Sequence, residues 1–488
     1  MGFARSASAA AAAATLAATL LTGCQVTPAF TMPADAVPTG TLPLQPQTTA
    51  GTAGGPTRAQ HFLQAVELPH AWWTLFHCAA LDALVKSALA GSPDLAQADA
   101  RLREAQADMQ AKAGVTGYPQ VNATLSSSRQ RVDTAAFGFV HAPSPPPFDL
   151  FNASVNASYM MDVFGGNRRA VEAMRARVDY RRFEFDASRL TLAANVVTAA
   201  IRRAALVEQI AATRQLLEAQ RRQTLIMHMR FVLGGVSEFE LRSQRQSYAR
   251  AQSDLPMLEQ QRAALSHQLA VYLGRAPDTA PAAPIALADL QLPGDLPTMV
   301  PSRLARRRPD VRAAEALWRA ASADVGVATA NLYPQLTLTG STGVLGTHSG
   351  DLANGLNVWS LGAQLMQPIF RGGELRAKKR SAVAAYDAAA AAYRATVLQA
   401  LQQVADSLTA LDHDADALLA RTRAADQARA QWEIIARRYA VGGVSEQTLL
   451  DARRLWLRAH IERIGALAQR YADTAVLLHA LGGGYDAG

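Results

Sequence analysis

The stretch "RYAVGGVSEQTLLDARR" at residues 438–454 has a near twin in "RFVLGGVSEFELRSQRQ" at residues 230–246. Both give an Arg-aromatic pair, a Gly-Gly turn, Val-Ser-Glu and then a run fit for a helix. Working outward, the whole chain divides into the same two-fold pattern. "SPDLAQADARLREAQADMQAKAG" from Ser92 pairs with "RPDVRAAEALWRAASADVGVATA" from Arg308, and "GYPQVNATLSSS" from Gly117 pairs with "LYPQLTLTGSTG" from Leu332. "YMMDVFGGNRRA" from Tyr159 then pairs with "QLMQPIFRGGELRA" from Gln364. One unit used twice implies a first repeat over residues 61–275, a Pro-rich linker over 276–307 and a second repeat over 308–488.

Within each unit the spacing of apolar residues predicts one order of elements. A helix (92–116, then 308–331) leads to two strand-like segments and a very long helix (167–232, then 373–440). The Gly-Gly turn follows, and a last helix (236–274, then 444–481) runs back. At 1.5 Å per residue the long helix would reach about 100 Å and the other two about 36 and 60 Å, so the shorter pair stacked end to end matches the long one. Arg, Asp and Glu recur along these helices, which argues against membrane spans. Leu457, Ile461, Ile464, Ala468, Tyr471, Ala475 and Leu478 keep a coiled-coil rhythm, as do Val383, Tyr386, Ala390, Tyr393, Val397, Ala400 and Val404. Small Ala at many of these positions lets helices approach closely, and the stripes read as packing seams.

The strand-like segments, at about 118–130, 151–164, 333–344 and 357–370, follow a period of two. Phe151, Ala153, Val155, Ala157, Tyr159, Met161 and Val163 alternate with Asn152, Ser154, Asn156 and Ser158. Leu336 and Leu338 alternate with Thr337 and Thr339, and Trp359, Leu361, Ala363 and Leu365 with Ser360, Gly362 and Gln364. Such a segment, apolar on one face and small-polar on the other, fits a transmembrane β-strand lining water; a half-buried strand of a soluble sandwich is the alternative. A bilayer tolerates no open sheet edge, so four spanning strands require further copies of the chain. Two copies would give eight strands and a filled interior; three would give twelve and room for a pore.

Composition sets the remaining bounds. The 488 residues are 49% hydrophobic and 18% charged, enough for a large core. The formal charge of +8 comes almost wholly from Arg, with no basic run interleaved with aromatics, so no nucleic-acid partner is expected. Two cysteines, Cys24 and Cys78, make neither a disulfide framework nor a four-ligand metal site. Arg5 precedes an Ala-rich apolar stretch, Ala9 to Leu21, too short to span a bilayer and built like a secretory signal. It ends in Leu21-Thr22-Gly23-Cys24, which matches a lipobox: residues 1–23 read as a cleaved signal peptide and Cys24 as the lipidated residue. The alternative is an ordinary signal peptide with a coincidental Cys. The Pro-, Thr- and Gly-rich segment that follows, to residue 60, reads as an extended tether.

Taken together, these features resemble the outer membrane efflux channel family, the TolC-like proteins, and within it the NodT-type lipoprotein branch. The lipobox, "WWTLF" at 72, "SPDL" at 92, "YPQ" at 118, "DVFGGNRRAVEA" at 162, "LPTMVPSRLARRRPDVRAAEA" at 296, "NLYPQLTL" at 331, "QPIFRGGELRA" at 367 and the two Gly-Gly-Val-Ser turns carry the resemblance, in family order over nearly the whole mature chain. It implies an α+β membrane protein of two tandem repeats that forms a homotrimer. A twelve-stranded outer-membrane β-barrel would be continued by a long periplasmic α-helical coiled-coil tunnel. The implied role is a passive exit duct of a tripartite efflux pump, docked by a periplasmic adaptor onto an inner-membrane transporter of RND or MFS type and held in the outer membrane partly by its N-terminal acyl groups. A duct for type I protein secretion, or a lipid-anchored periplasmic scaffold without a pore, are the alternatives.

The resemblance also places both Gly-Gly turns at the periplasmic end of the tunnel. Gly234, Gly235, Val236 and Ser237, with Gly442, Gly443, Val444 and Ser445, become the expected adaptor-docking tips. Ser237 and Ser445 are suited to cap the returning helices, and Glu240 stands at capping-box spacing from Ser237. Asp451 matches the family's aspartate at the constricted entrance, where three copies would make an acidic ring; the first repeat has Ser243 there. Gln447 replaces the family's apolar neighbour of that aspartate. Local pairing of Asp451 with Arg453 or Arg454 is the alternative to a gating role. No phosphate loop, nucleophile elbow, His-Glu-x-x-His or Cys-x-x-Cys occurs, so no catalytic residue, cofactor or metal site is expected. "LDHDAD" around His413 reads as a solvated helix face.

Overall fold

The structure is a computed structural model that describes residues 30–33, 48–52, 55, 57–63, 68–133, 138, 143–144, 146–277, 285–297, 307–352 and 355–484. The proposed signal peptide, Cys24 and most of the tether lie outside the described residues. The strands are β1 (His61–Leu63), β2 (Gln120–Gln130), β3 (Phe148–Met161), β4 (Asp295–Pro297), β5 (Gln335–Gly346) and β6 (Leu356–Met366). The α-helices are α1 (Ala79–Gly91), α2 (Pro93–Gly117), α3 (Gly166–Val232), α4 (Glu238–Tyr272), α5 (Pro309–Ala330), α6 (Glu374–Ala440) and α7 (Glu446–Ala480).

The helices follow the duplicated pattern closely: α3 and α6 have 67 residues each, α4 and α7 have 35 each. Pro93 and Pro309 open α2 and α5, where a missing N–H costs nothing. Several strand ends differ from expectation by a few residues, and two of them do so for local reasons. β3 stops at Met161 because the Asp162 carboxylate turns to accept the backbone N–H groups of Asn167 and Arg168, both at 2.9 Å, and so caps α3. β6 stops at Met366, just before Pro368, which has no N–H for a ladder.

By packing, the chain forms two compact units, and each draws on both repeats: one includes residues 102–181 and 314–393, the other 34–101, 182–313 and 394–488. The first unit holds an antiparallel sheet in the order β2-β3-β5-β6. Its register puts Asn122, Asn156, Ser341 and Ser360 in one row across all four strands. The neighbouring row is Val121, Ala157, Gly340 and Leu361, so one face is polar and the other apolar, as the alternation predicts.

The second unit packs around an apolar core. Trp72 and Phe76 of a 3₁₀ turn, Leu81 and Val85 of α1, Val197 and Ile201 of α3, Leu411 and Leu418 of α6, and Leu457, Ile464, Tyr471, Ala475 and Leu478 of α7 are all buried. Of the seam expected along α7, six residues are buried, Ala468 included, and Ile461 is half-buried. The seam along α6 is buried from Tyr393 onward, while Val383 is 39% exposed. One 18-residue stretch of α3 is apolar enough in composition to cross a membrane, an exception to the expected recurrence of charge, but 61% of it is buried inside the protein.

Two buried arginines tie connecting segments to this core. Arg470, fully buried, donates to Thr49 Oγ1 at 3.1 Å and to the Arg58 carbonyl at 2.9 Å. Arg308 donates to the Ala480 carbonyl at 2.9 Å, to Gln403 Oε1 at 2.8 Å and to both carboxylate oxygens of Asp310. β1 and β4, 234 residues apart along the chain, form a short parallel pair (His61 opposite Asp295) beside the Gln60 side chain, which donates to the Pro293 carbonyl and to Thr474.

Candidate functional site

Two features of the structure bear on function: the free edges of the four-stranded sheet and the two helix-hairpin tips. Among the described residues β2 and β6 each pair on one side only, and every residue of both strands is exposed. Leu125 on β2 and Trp359, Leu361 and Leu365 on β6 are 68–82% exposed. Strands of 11 residues whose outer sides have no ladder partner among the described residues are incomplete as a membrane-spanning body, and the opposite edge of another copy, β6 meeting β2, would complete them.

The tips are built alike. Gly234 and Gly442 take φ of +75° and +77°, a conformation that disfavours any side chain. The N–H of Gly235 then reaches the Arg230 carbonyl at 2.7 Å, and that of Gly443 reaches the Arg438 carbonyl at 2.8 Å, closing both helices in the Schellman manner. Each returning helix is capped by the expected serine, whose Oγ accepts the N–H of Glu240 or Thr448, both at 3.2 Å. The first cap is reciprocal, with Glu240 accepting the Ser237 N–H at 2.7 Å. In the second, Thr448 stands in the glutamate's place and meets Ser445 through its hydroxyl at 2.9 Å. Leu233 and Val441 sit on the turns and are 85% and 83% exposed.

A set of polar contacts links α3 to the start of α7. Arg222 pairs with Glu446 at 2.7 Å, Arg230 donates to Gln447 at 2.6 Å, and Gln223 donates to Asp451 Oδ1 at 2.9 Å. Asp451 also accepts from Arg454 at 3.1 Å, one of the two local partners expected from the sequence. Asp451 and Gln447 are thus brought together on α7 and answered from a helix more than two hundred residues earlier.

Sequence reading missed Arg222 and Gln223 and did not single out Arg230. One signal was present: the buried stripe Leu216 and Ala219 of α3 continues into Gln220 and Gln223, polar residues on an apolar seam. Gln220 is fully buried, and among the described residues neither end of its amide has a partner.

The "LDHDAD" segment is less uniform than expected. His413 and Asp416 are exposed, but Asp414 is half-buried and faces Asp473 of α7. Burial first, and then the hydrogen bond and like charge of Asp473, push its carboxyl up to about 7, against the opposing pull of Arg470. Among the described residues, no group of three or more His, Cys, Asp or Glu is placed to hold a metal ion.

Comparison with known proteins fits this geometry. The family model described as outer membrane efflux protein matches residues 84–275 and 300–483, one match for each half of the chain. The pyoverdine export outer membrane protein OpmQ of Pseudomonas putida is 33% identical over 421 residues, 85% of this chain and 88% of that one. Nodulation protein T of Rhizobium leguminosarum is 27% identical over 424 residues, 86% of this chain and 85% of its own length. The solved structure of the outer-membrane channel OprN superposes with a TM-score of 0.80 at 26% identity, covering 95% of this chain and all of that one.

Proposed function

The chain belongs to the outer membrane efflux protein family, and from that premise we propose that it is the passive exit duct of a tripartite efflux pump. It resides in the outer membrane and extends into the periplasm, where such channels work with an adaptor and an inner-membrane transporter. The observation that carries the reading is the antiparallel sheet of four strands, polar on one face and apolar on the other, with neither edge paired among the described residues. Three copies place twelve strands in one barrel, three times four, with the polar rows toward a water-filled lumen.

In this reading the two Gly-Gly-Val-Ser turns meet the adaptor, offering Leu233 and Val441 as exposed apolar contacts. Asp451 lines the entrance and is held by Gln223 in the resting state, while Gln447 takes part through Arg230 rather than as an apolar plug. Adaptor docking would open the entrance by competing for the contacts between α3 and α7, with energy supplied by a transporter of RND or MFS type. Cys24 carries the acyl anchor. Six residues beyond it Phe30 stacks edge-on against buried Trp318 at 5.1 Å, which supports a tether that reaches back along the helices. A relative named for pyoverdine export makes a pyoverdine the first cargo to assay.

The reading is tested by the mass of detergent-extracted protein from light scattering, followed by conductance in a planar bilayer. A trimer of low conductance is expected. A water-soluble monomer without conductance would overturn the channel, and the alternating segments would then be ordinary strands.

A further inference from the structure

Where the sheet meets the helices on the side of α2, β3 and α3, the structure forms an open cavity of about 750 Å³. Its walls include Gly117 at the end of α2, Tyr159, Met161 and Val163 of β3 and just beyond it, and Arg168 and Arg175 of α3. Tyr159, Met161 and Val163 share the apolar parity of β3, opposite to Asn156 and Ser158. In a barrel with a water-filled interior that parity faces lipid, so the cavity opens on the outer surface at the periplasmic rim.

The charges around it do not cancel. Asp162 is occupied by the α3 N-terminus and by Arg168 Nε at 3.2 Å, and Glu172 is occupied by buried Arg169 at 2.6 Å. Arg175, also exposed on the cavity wall, has no hydrogen-bond or ion partner among the described residues. Arg168 and Arg175 are seven residues apart, two turns along one helix face. Helical side chains tilt toward the N-terminus, here toward the sheet, so the Arg175 guanidinium reaches back toward the headgroup layer, which is about 5–7 Å thick per leaflet. An unpaired guanidinium above an apolar wall is complementary to a phosphodiester bearing acyl chains.

We propose that this cavity binds the headgroup of one phospholipid from the periplasmic leaflet per subunit, with Arg175 on the phosphate and an acyl chain along Tyr159, Met161 and Val163. The proposal rests on the channel reading for its orientation in the membrane.

The test is native mass spectrometry of the trimer in mild detergent, titrated with phosphatidylglycerol, diacylglycerol or inorganic phosphate. Phosphatidylglycerol is expected to bind one per subunit, diacylglycerol and phosphate far more weakly, and Arg175→Ala to weaken the lipid about tenfold, with Arg175→Lys recovering part of it. The trimer mass and conductance of Arg175→Ala should equal those of the unaltered protein, which separates loss of this site from failure of the channel reading. Equal phosphatidylglycerol affinity in Arg175→Ala, equal binding of diacylglycerol, or displacement of lipid by phosphate at equal concentration would each overturn the proposal. A second variant, Val171→Asp, puts a carboxylate on the same wall and should weaken binding likewise; unchanged binding there counts against the site.

Discussion

The Gln223 amide donates to the Asp451 carboxylate at 2.9 Å, joining the first long helix to the last helix of the chain. If this contact holds the entrance, either side of it should act as a latch. Asp451→Ala and Gln223→Ala are each expected to raise basal conductance in a planar bilayer roughly two- to tenfold, the span of a coupling of about 0.5–1.5 kcal/mol. The double variant should rise no further than the larger single one. Additive increases would mean that the two residues act separately and that no latch exists.

Gln220, one turn before Gln223, presents the opposite case. Its amide is buried without a partner among the described residues, so the site is under-satisfied rather than bonded. Gln220→Leu is expected to stabilise the protein by about 1–2 kcal/mol, measured as a raised midpoint of thermal unfolding in detergent. A lower midpoint would show that the amide is satisfied within the assembled protein.

The two caps differ enough to be told apart. Ser237→Ala removes a reciprocal pair of hydrogen bonds and should cost about 1 kcal/mol, whereas Ser445→Ala should cost less because its partner is a threonine. Amide hydrogen exchange at Glu240 and Thr448 reads the difference directly. Faster exchange at Thr448 than at Glu240 in the unaltered protein is the first thing to look for, and equal rates would remove the distinction.

Stability should depend on pH through two groups of opposite sign. The Asp414 carboxyl is raised from 3.8 to about 7, so the native state holds its proton longer than the unfolded chain, and stability falls as pH rises from about 4 to 7. His479 is lowered from 6.5 to about 4, first by burial and then by Arg308, against Asp310, so stability falls as pH drops from 6.5 to 4. Between pH 4 and 6.5 the two trends oppose each other. Asp414→Asn should leave a curve that rises with pH across that window, and His479→Gln one that falls up to pH 7. Thermal midpoints at half-unit intervals check both, and parallel curves for the two variants would refute the assignment.

The elements of the fold divide sharply in how legible they are in the sequence. Long elements with strict periods, such as α3, α6 and the polar row through Asn156 and Ser341, follow from spacing alone, because a one-residue slip turns a strand's side chains to the opposite face and swings a helix's by about 100°. Short or long-range features did not. α1 was not read separately, and β1 with β4 has three residues on each side, too few to show a period, and pairs across most of the chain. The partners of Asp451 were hidden for another reason. The resemblance pointed to Asp451 by its place in the motif, but a heptad shows only which face of a helix is buried and not which helix it meets, so Arg222 and Gln223 stayed hidden. Asp414 was misread because a run of acidic residues looks solvated unless the opposing helix is known to bring Asp473 against it.

The equal lengths of the paired helices, 67 with 67 and 35 with 35, bear on descent as well as on form. Seven residues inserted into one long helix would carry its tip about 10 Å past the other, and neither returning helix could follow. A lineage can therefore exchange residues one at a time but can alter the reach of the duct only by editing four helices in concert. Drift in spelling without drift in span is what this predicts, and helix lengths compared among relatives such as the one 33% identical over 88% of its own length would check it.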